Sequence, residues 1–325
     1  MPASMSKGPL VSVITPTFNR AKLVAQAIDS VRQQTYQCWE MIIWDDGSTD
    51  ETPRILQGYT DPRIQYCRGV NRGQAFARNQ AIAKAHGKYL ALLDDDDLWK
   101  PHKLARQVEL METIHPIDIL FSNFENVDTV TGQTTVSFDA NWKAISRMKT
   151  ERVDEMVNMI AEGFLESFLQ KNFILPSSTI MRKGILDTTG PFNEELRGTE
   201  DMEYWWRCGL RELRFGYLNE ALVTRRVGRD NFCRNGARSL SEVIKALGYC
   251  LKETSEAGRD DLISSVRRTI GMSWEQLIKI YGLEGGRKEA VRAFRKRCEY
   301  GLTLRALALM VCAAAGPWTF KSLGK

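Results

Sequence analysis

The stretch YLALLDDDDLWKP, residues 89–101, joins a short apolar run directly to four consecutive aspartates, Asp94 to Asp97. The apolar run, residues 88–93, predicts a buried strand. Two like charges about 5 Å apart repel each other by roughly 3 kcal/mol at an effective dielectric constant of about 20. We therefore expect that four adjacent carboxylates either stay fully in water or bind a cation.

Strand and helix patterns alternate along the chain before this stretch. Short connections between them predict an α/β fold with a mixed, mostly parallel sheet flanked by helices. The predicted strands are residues 10–14, 39–44 and 63–67, and the predicted helices are residues 20–34 and 74–85.

The rest of the chain predicts a less regular middle and a helical end. We predict strands at residues 118–124 and 172–183, a hairpin or loop at 128–142, and helices at 151–170 and from Thr199 onward. Four further helices are predicted at 239–257, 260–281, 286–300 and 302–313. We accordingly expect a flexible N-terminus, residues 1–9, one α/β domain, residues 10–235, and a helical C-terminal extension, residues 236–325.

Polar clusters follow three of the predicted strands, at residues 15–19, 45–50 and 94–97. In parallel sheets the carboxyl ends of the strands share one edge, where ligands bind. Oxygen-only ligands without nearby histidine or cysteine suit Mg²⁺ or Mn²⁺ rather than zinc. A solvated loop or a set of helix-capping acids is the alternative interpretation of each cluster.

A fourth acidic pair, Glu200 and Asp201, lies at the predicted start of a helix, where acids are favourable in any case. A carboxylate at that position could also serve as a general base. The chain contains neither G-x-G-x-x-G nor G-x-x-x-x-G-K-[ST], which argues against the usual dinucleotide and P-loop sites.

The ordered set VSVITPTFNR (11–20), NRGQAFARNQ (71–80), LLDDDDLWKP (92–101) and TEDMEYWWR (199–207) resembles family 2 glycosyltransferases with the GT-A fold. The resemblance covers residues 10 to 230 or so. It implies an inverting enzyme that moves a sugar from a nucleotide-sugar donor to an acceptor hydroxyl with the help of Mn²⁺ or Mg²⁺.

The resemblance also implies roles for particular residues on the donor side. The backbone of Thr15, Pro16 and Thr17, together with Asp46, would hold the nucleobase. Asp95 would lie near the ribose or the donor sugar.

On the metal and acceptor side, the resemblance makes Asp96 the principal metal ligand, with Asp94 as the alternative in this run of acids. Asp201 would be the catalytic base, and Glu200 would contact the acceptor.

Relatives often carry a histidine in a pattern like R-x-H-x-x-N after the last core strand. This chain has RVGRDN, residues 226–231, with Gly228 in that place. We expect Arg226 or Arg229 to supply the positive charge instead.

Two rival functions remain open. A metal-dependent nucleotidyltransferase also uses acids and a metal on an α/β sheet, although it usually has a glycine-rich basic loop near the first strand. A non-catalytic nucleotide- or glycan-binding module is the other rival.

Composition and charge limit the cellular location and the kinds of partner that can be expected. The chain has 325 residues, a net charge of +5 and seven cysteines without a C-x-x-C pair, so we predict reduced thiols in the cytoplasm. No run of about 18 apolar residues predicts a membrane span. The charge is too small to indicate nucleic acid.

The expected partners are a UDP-, GDP- or dTDP-sugar and a glycan or lipid-linked acceptor, in surface polysaccharide or glycolipid synthesis. The basic tail, residues 287–325, predicts either a packed helical subdomain or a surface-lying anchor at the inner face of the cytoplasmic membrane.

Overall fold

The computed structural model describes residues 8–114, 117–137, 141, 144–228 and 236–315. The chain divides into two compact units, Met1–Gly228 and Arg229–Lys325. Of the segment predicted to be a flexible N-terminus, residues 1–7 lie outside the described part. No described helix combines the length and the apolar character that crossing a bilayer requires.

The first half of the N-terminal unit is the parallel strand–helix alternation that the sequence predicts. All residues of its central strand are buried, as expected for a strand covered on both faces of the sheet. The four strands pair in the order β3-β2-β1-β4, all parallel. The elements are β1 (Val11–Thr17), α1 (Ala21–Arg32), β2 (Trp39–Asp45), α2 (Thr52–Gln57), β3 (Ile64–Arg68), α3 (Gln74–Ala83) and β4 (Tyr89–Leu92).

The second half of this unit extends the sheet with mixed pairings. The described order continues β4-β10-β6-β11-β9-β8, where β8 is Lys149–Arg152 and β9 is Val157–Glu162. β10 is antiparallel to both of its neighbours, and β6 is parallel to β11. The sheet therefore has the mixed character that was predicted, with its parallel part concentrated before the aspartates. The elements are β5 (Asp97–Trp99), α4 (Lys103–Thr113), β6 (Ile119–Asp128), β7 (Thr134–Val136), β10 (Thr179–Arg182), α6 (Leu186–Thr189), α7 (Glu200–Leu210) and β11 (Phe215–Val227).

The short strand β5 fixes the position of the aspartate run. It pairs antiparallel with β11, and Asp97 lies opposite Arg225. This pairing holds the end of the aspartate run, Asp97, beside β11, so the four carboxylates do not form a free loop.

The predicted helix over residues 151–170 is wrong. This segment forms β8 (Lys149–Arg152), β9 (Val157–Glu162) and a shorter helix, α5 (Phe164–Gln170). β9 pairs with β11 from Val157 to Met159, and Val157 is fully buried. Hydrogen bonding to the edge of the sheet and this burial outweigh the helix propensity of the glutamates and methionines in the segment.

The described residues of the C-terminal unit form helices joined by short connections, as predicted. Its described helices are α8 (Gly236–Glu256), α9 (Asp260–Glu284), α10 (Arg287–Cys298) and α11 (Leu304–Ala315). The helix α9 packs against each of the other three. A buried ion pair between Arg297 and Glu275, at 2.8 Å, joins α10 to α9.

Candidate active site

The carboxyl ends of β1, β2 and β4 place three of the predicted polar clusters side by side. The Thr17 hydroxyl donates a hydrogen bond to Asp95 Oδ2 at 2.7 Å. The main-chain N–H of Asp46 donates to the Thr17 carbonyl at 2.9 Å. One edge of the sheet therefore brings together residues from three separate strand ends, as parallel topology requires.

Thr15 and Pro16 lie within β1 rather than in the turn that follows it. Pairing of β1 with β4 ends at Ile14, whereas pairing with β2 continues to Thr17. Pro16 thus occupies a stretch of strand with only one neighbour, where a missing N–H is tolerated. The Thr15 hydroxyl is buried and has no hydrogen-bond partner among the described residues.

Asp46 organises the loop before α3. Its carboxylate accepts hydrogen bonds from the main-chain N–H groups of Arg72, at 2.9 Å, and Gly73, at 2.7 Å. Burial raises its pKa, and these two bonds oppose that rise. Both carboxylate oxygens therefore accept a hydrogen bond from the protein, and each keeps a lone pair for a further donor.

The aspartates Asp95 and Asp96 share one arginine. Arg20 Nη1 lies 3.1 Å from Asp95 Oδ1 and 2.5 Å from Asp96 Oδ2. Burial raises the pKa of Asp95 to about 7, and the Arg20 charge opposes this. Arg226 donates through Nε to the main-chain carbonyl of Asp96 at 2.5 Å. Of the two arginines expected here, Arg226 thus holds the backbone of the aspartate run, while Arg229 lies outside the described residues.

Arg78 is the site residue that the sequence interpretation missed. It is fully buried and lies on α3. Its Nη2 donates to Asp94 Oδ1 at 2.9 Å, and its Nη1 donates to Glu200 Oε1 at 2.7 Å. The signal in the sequence was an arginine on the apolar face of an alanine-rich helix, in line with Ala75 and Ile82.

Glu200 and Asp201 begin α7, which starts where the sequence predicts. Glu200 is almost fully buried, and its Oε2 has no hydrogen-bond partner among the described residues. Asn172 donates to Asp201 Oδ2 at 3.1 Å. Burial, followed by the neighbouring Glu200 charge, raises the pKa of Asp201 to about 7, against the opposing effects of Arg78 and Asn172. A carboxyl group with that pKa can accept a proton near neutral pH.

The donor set at the aspartate run fits a hard divalent cation. Asp96 uses Oδ2 for Arg20, and Asp94 uses Oδ1 for Arg78 and Gln74. Among the described residues no group of three or more histidine, cysteine or acidic side chains is arranged to hold a metal. Mg²⁺ is commonly bound by only one or two carboxylates together with substrate phosphates, and the Asp94 and Asp96 carboxylates are of that ligand type.

Several known proteins resemble parts of this chain. A putative teichuronic acid biosynthesis glycosyltransferase, TuaG of Bacillus subtilis, is 49% identical over 106 residues, which are 32% of this chain and 42% of the relative. An uncharacterized glycosyltransferase of Rickettsia typhi is 30% identical over 251 residues, 76% of this chain and 74% of the relative. WfgD of Escherichia coli, a UDP-Glc:alpha-D-GlcNAc-diphosphoundecaprenol beta-1,3-glucosyltransferase, is 36% identical over 120 residues, 37% of this chain and 47% of the relative. The match to TuaG and that to WfgD each span less than half of the relative.

Solved structures share the fold. Staphylococcus aureus TarS 1-349 in complex with UDP-GlcNAc superposes with a TM-score of 0.57 at 17% identity, covering 89% of this chain and 90% of that one. A Pyrobaculum calidifontis mannosyltransferase in complex with GDP-Man and Mn²⁺ superposes with a TM-score of 0.56 at 18% identity, covering 96% and 81%.

The family model described as Glycosyl transferase family 2 matches residues 12–187, just over half of the chain. The match includes β1 from its second residue onward, β2, β4 and the aspartate run. This chain belongs to glycosyl transferase family 2.

Proposed function

We propose that this protein transfers a sugar from a nucleotide-diphosphate sugar to an acceptor hydroxyl, with inversion at the anomeric carbon. One observation carries the proposal. Arg78 forms ion pairs with Asp94 at the end of β4 and with Glu200 at the start of α7, which supports treating the two acidic groups as parts of one site. In a family 2 chain, the acids at the end of β4 would serve donor binding, and the acids at the start of α7 would serve proton removal.

The donor side of the proposed site is the sheet edge. The backbone of Thr15, Pro16 and Thr17 and the carboxylate of Asp46 would contact the nucleobase. Asp95, held by Thr17 and Arg20, would contact the ribose or the donor sugar.

The metal would be held by Asp96, with Asp94 as the alternative or second ligand. A divalent cation bound there, Mn²⁺ or Mg²⁺, supplies positive charge against the negative charge that develops on the departing diphosphate.

The acceptor side is the start of α7. Glu200 would contact the acceptor, and Asp201 would take the proton from its hydroxyl. The acceptor oxygen forms its bond to the anomeric carbon from the face opposite the diphosphate. The bond to the diphosphate breaks with its electron pair leaving on the phosphate oxygen, and the proton ends on Asp201.

The likeness to known proteins supports a substrate class. The TarS structure binds UDP-GlcNAc and the mannosyltransferase structure binds GDP-Man and Mn²⁺, while WfgD uses a diphosphoundecaprenol-linked acceptor. We infer a UDP-, GDP- or dTDP-sugar donor and a glycan or lipid-linked acceptor in the synthesis of a surface polysaccharide or glycolipid. A cytoplasmic location remains our prediction.

The test begins with the donor. Thermal-shift screening of UDP-, GDP- and dTDP-sugars with Mn²⁺ identifies the one that binds, and Asp201→Asn is then compared with the unchanged protein. We expect transfer to be lost while the affinity for the nucleoside diphosphate stays the same. Asp187→Asn, at an exposed position on α6, is the matched control and should transfer normally.

Transfer at the original rate by Asp201→Asn would remove Asp201 from the proposed role. If no nucleotide sugar binds, and none is hydrolysed or transferred, the transferase proposal itself fails.

A further inference from the structure

The helix α11 is almost entirely apolar. Its sequence, LRALALMVCAAA, contains no acid and one base, Arg305. One face of the helix is buried within the C-terminal unit, where α11 packs on α9 and α10. Ala306 and Ala313 on that face have 0% and 1% of their surface exposed. Among the described residues of the unit, packing on α9 and α10 covers one side of this helix.

The other side of α11 leaves large apolar side chains in the open. Leu304, Leu307 and Val311 are 87%, 40% and 68% exposed, and the preceding Leu302 is 58% exposed. Positions 304, 307 and 311 recur at helical spacing and lie on one face. We call Leu302, Leu304, Leu307 and Val311 the outer stripe. Exposed apolar residues grouped in this way indicate a contact surface rather than an ordinary protein exterior.

The charge of the C-terminal unit indicates the partner. Residues 229–325 contain 18 Lys and Arg against 10 Asp and Glu, a net charge of +8, whereas the whole chain carries only +5. The remainder of the chain is therefore net acidic, at −3. The helix α10, next to α11, exposes five basic side chains, Arg287, Lys288, Arg292, Arg295 and Lys296.

We propose that the outer stripe and the basic side chains of α10 bind the surface of an anionic lipid bilayer, with α11 lying in the interface. The twelve described residues of α11 rise about 18 Å, which is less than the roughly 30 Å of a hydrocarbon core, and in this proposal they lie along the bilayer surface. Apolar residues beside clustered Lys and Arg are the combination that interfacial helices use on anionic lipid. A second copy of the chain is a poorer partner, because two units of charge +8 repel each other. The inference does not rest on the transferase activity.

Vesicle flotation of the full chain tests this surface. The vesicles are phosphatidylcholine alone, or equal parts phosphatidylcholine and phosphatidylglycerol. We expect the protein to float with the anionic vesicles only. The double variant Leu304→Ser, Val311→Ser should bind them at least about 100-fold more weakly, since each leucine- or valine-sized group buried contributes at least a tenfold gain. The matched control is Val70→Ser, Val130→Ser, two valines of the other unit that are 75% and 55% exposed, and it should bind as the unchanged protein does.

A second pair of substitutions tests the charge without touching the outer stripe. Arg292→Glu with Arg295→Glu should weaken binding to the anionic vesicles by roughly fivefold or more per residue, and added salt should weaken binding by the unchanged protein. Circular dichroism checks that each variant is folded. If the Leu304→Ser, Val311→Ser variant does not fold, the Arg292→Glu, Arg295→Glu variant still tests the proposal.

Three results would overturn the proposal. The first is no flotation of the unchanged protein with anionic vesicles, and the second is equal flotation with both kinds of vesicle. The third is a dimer in sedimentation velocity that the stripe substitutions dissociate, without vesicle binding, because the outer stripe would then be an interface between copies.

Discussion

Replacing Arg78 with methionine should destabilise the N-terminal unit severely. The guanidinium group is fully buried and donates to Asp94 at 2.9 Å and to Glu200 at 2.7 Å. Methionine fills much of the same volume but leaves two carboxylates without their shared counter-charge. Removing one partner of a buried ion pair costs about 3–5 kcal/mol because the remaining charge stays desolvated. We therefore expect a loss of about 3–5 kcal/mol in the free energy of unfolding.

Urea denaturation followed by near-ultraviolet circular dichroism measures this loss. The control is Arg54→Met, because the Arg54 side chain is 76% exposed and its ion-pair partner among the described residues is the exposed Glu51. Exposed pairs of this kind contribute within about 1 kcal/mol. Adding Glu200→Gln to Arg78→Met should recover part of the loss, since it removes one of the two unpaired charges. If Arg78→Met and Arg54→Met differ by less than about 1 kcal/mol, Arg78 does not balance these carboxylates, and the link that unites the site is absent.

Three further predictions address the base, a turn and the metal. The rate of sugar transfer should rise as the pH increases through about 7. Burial raises the pKa of Asp201 to about 7, and Asp201 must be deprotonated before it can accept a proton. A flat pH profile at constant donor binding would contradict this. Gly47→Ala should cost about 2–4 kcal/mol in urea denaturation, because φ is +83° and the added Cβ would lie 2.9 Å from Asn71 N. Gly132→Ala, with φ +72° and no atom within 4 Å, should cost only about 1 kcal/mol; equal losses would rule out the clash. Asp96→Ala should abolish the Mn²⁺-dependent gain in affinity for the nucleoside diphosphate in calorimetry, and a retained gain would exclude Asp96 as a ligand.

Local patterns predicted most of the fold. The buried strand at residues 10–14, the amphipathic helix after it and the helices beyond residue 236 all follow from the spacing of apolar residues, and all are present. The segment at residues 151–170 failed because its glutamates and methionines favour a helix locally, whereas pairing of β9 with β11 is a contact between residues far apart in the chain. A prediction from local sequence contains no information about such pairing.

The sequence by itself determined that acids follow parallel strands, and hence that Asp46 and the aspartate run share an edge of the sheet. Only the tertiary structure decided how those charges are balanced. Arg20 holds Asp95 and Asp96, and Arg78 reaches across 122 positions of the chain to Glu200. The reason is physical. Whether a segment forms a strand or a helix depends largely on residues within a few positions of it. The free energy of a buried carboxylate depends instead on which counter-charge the fold brings within about 3 Å of it.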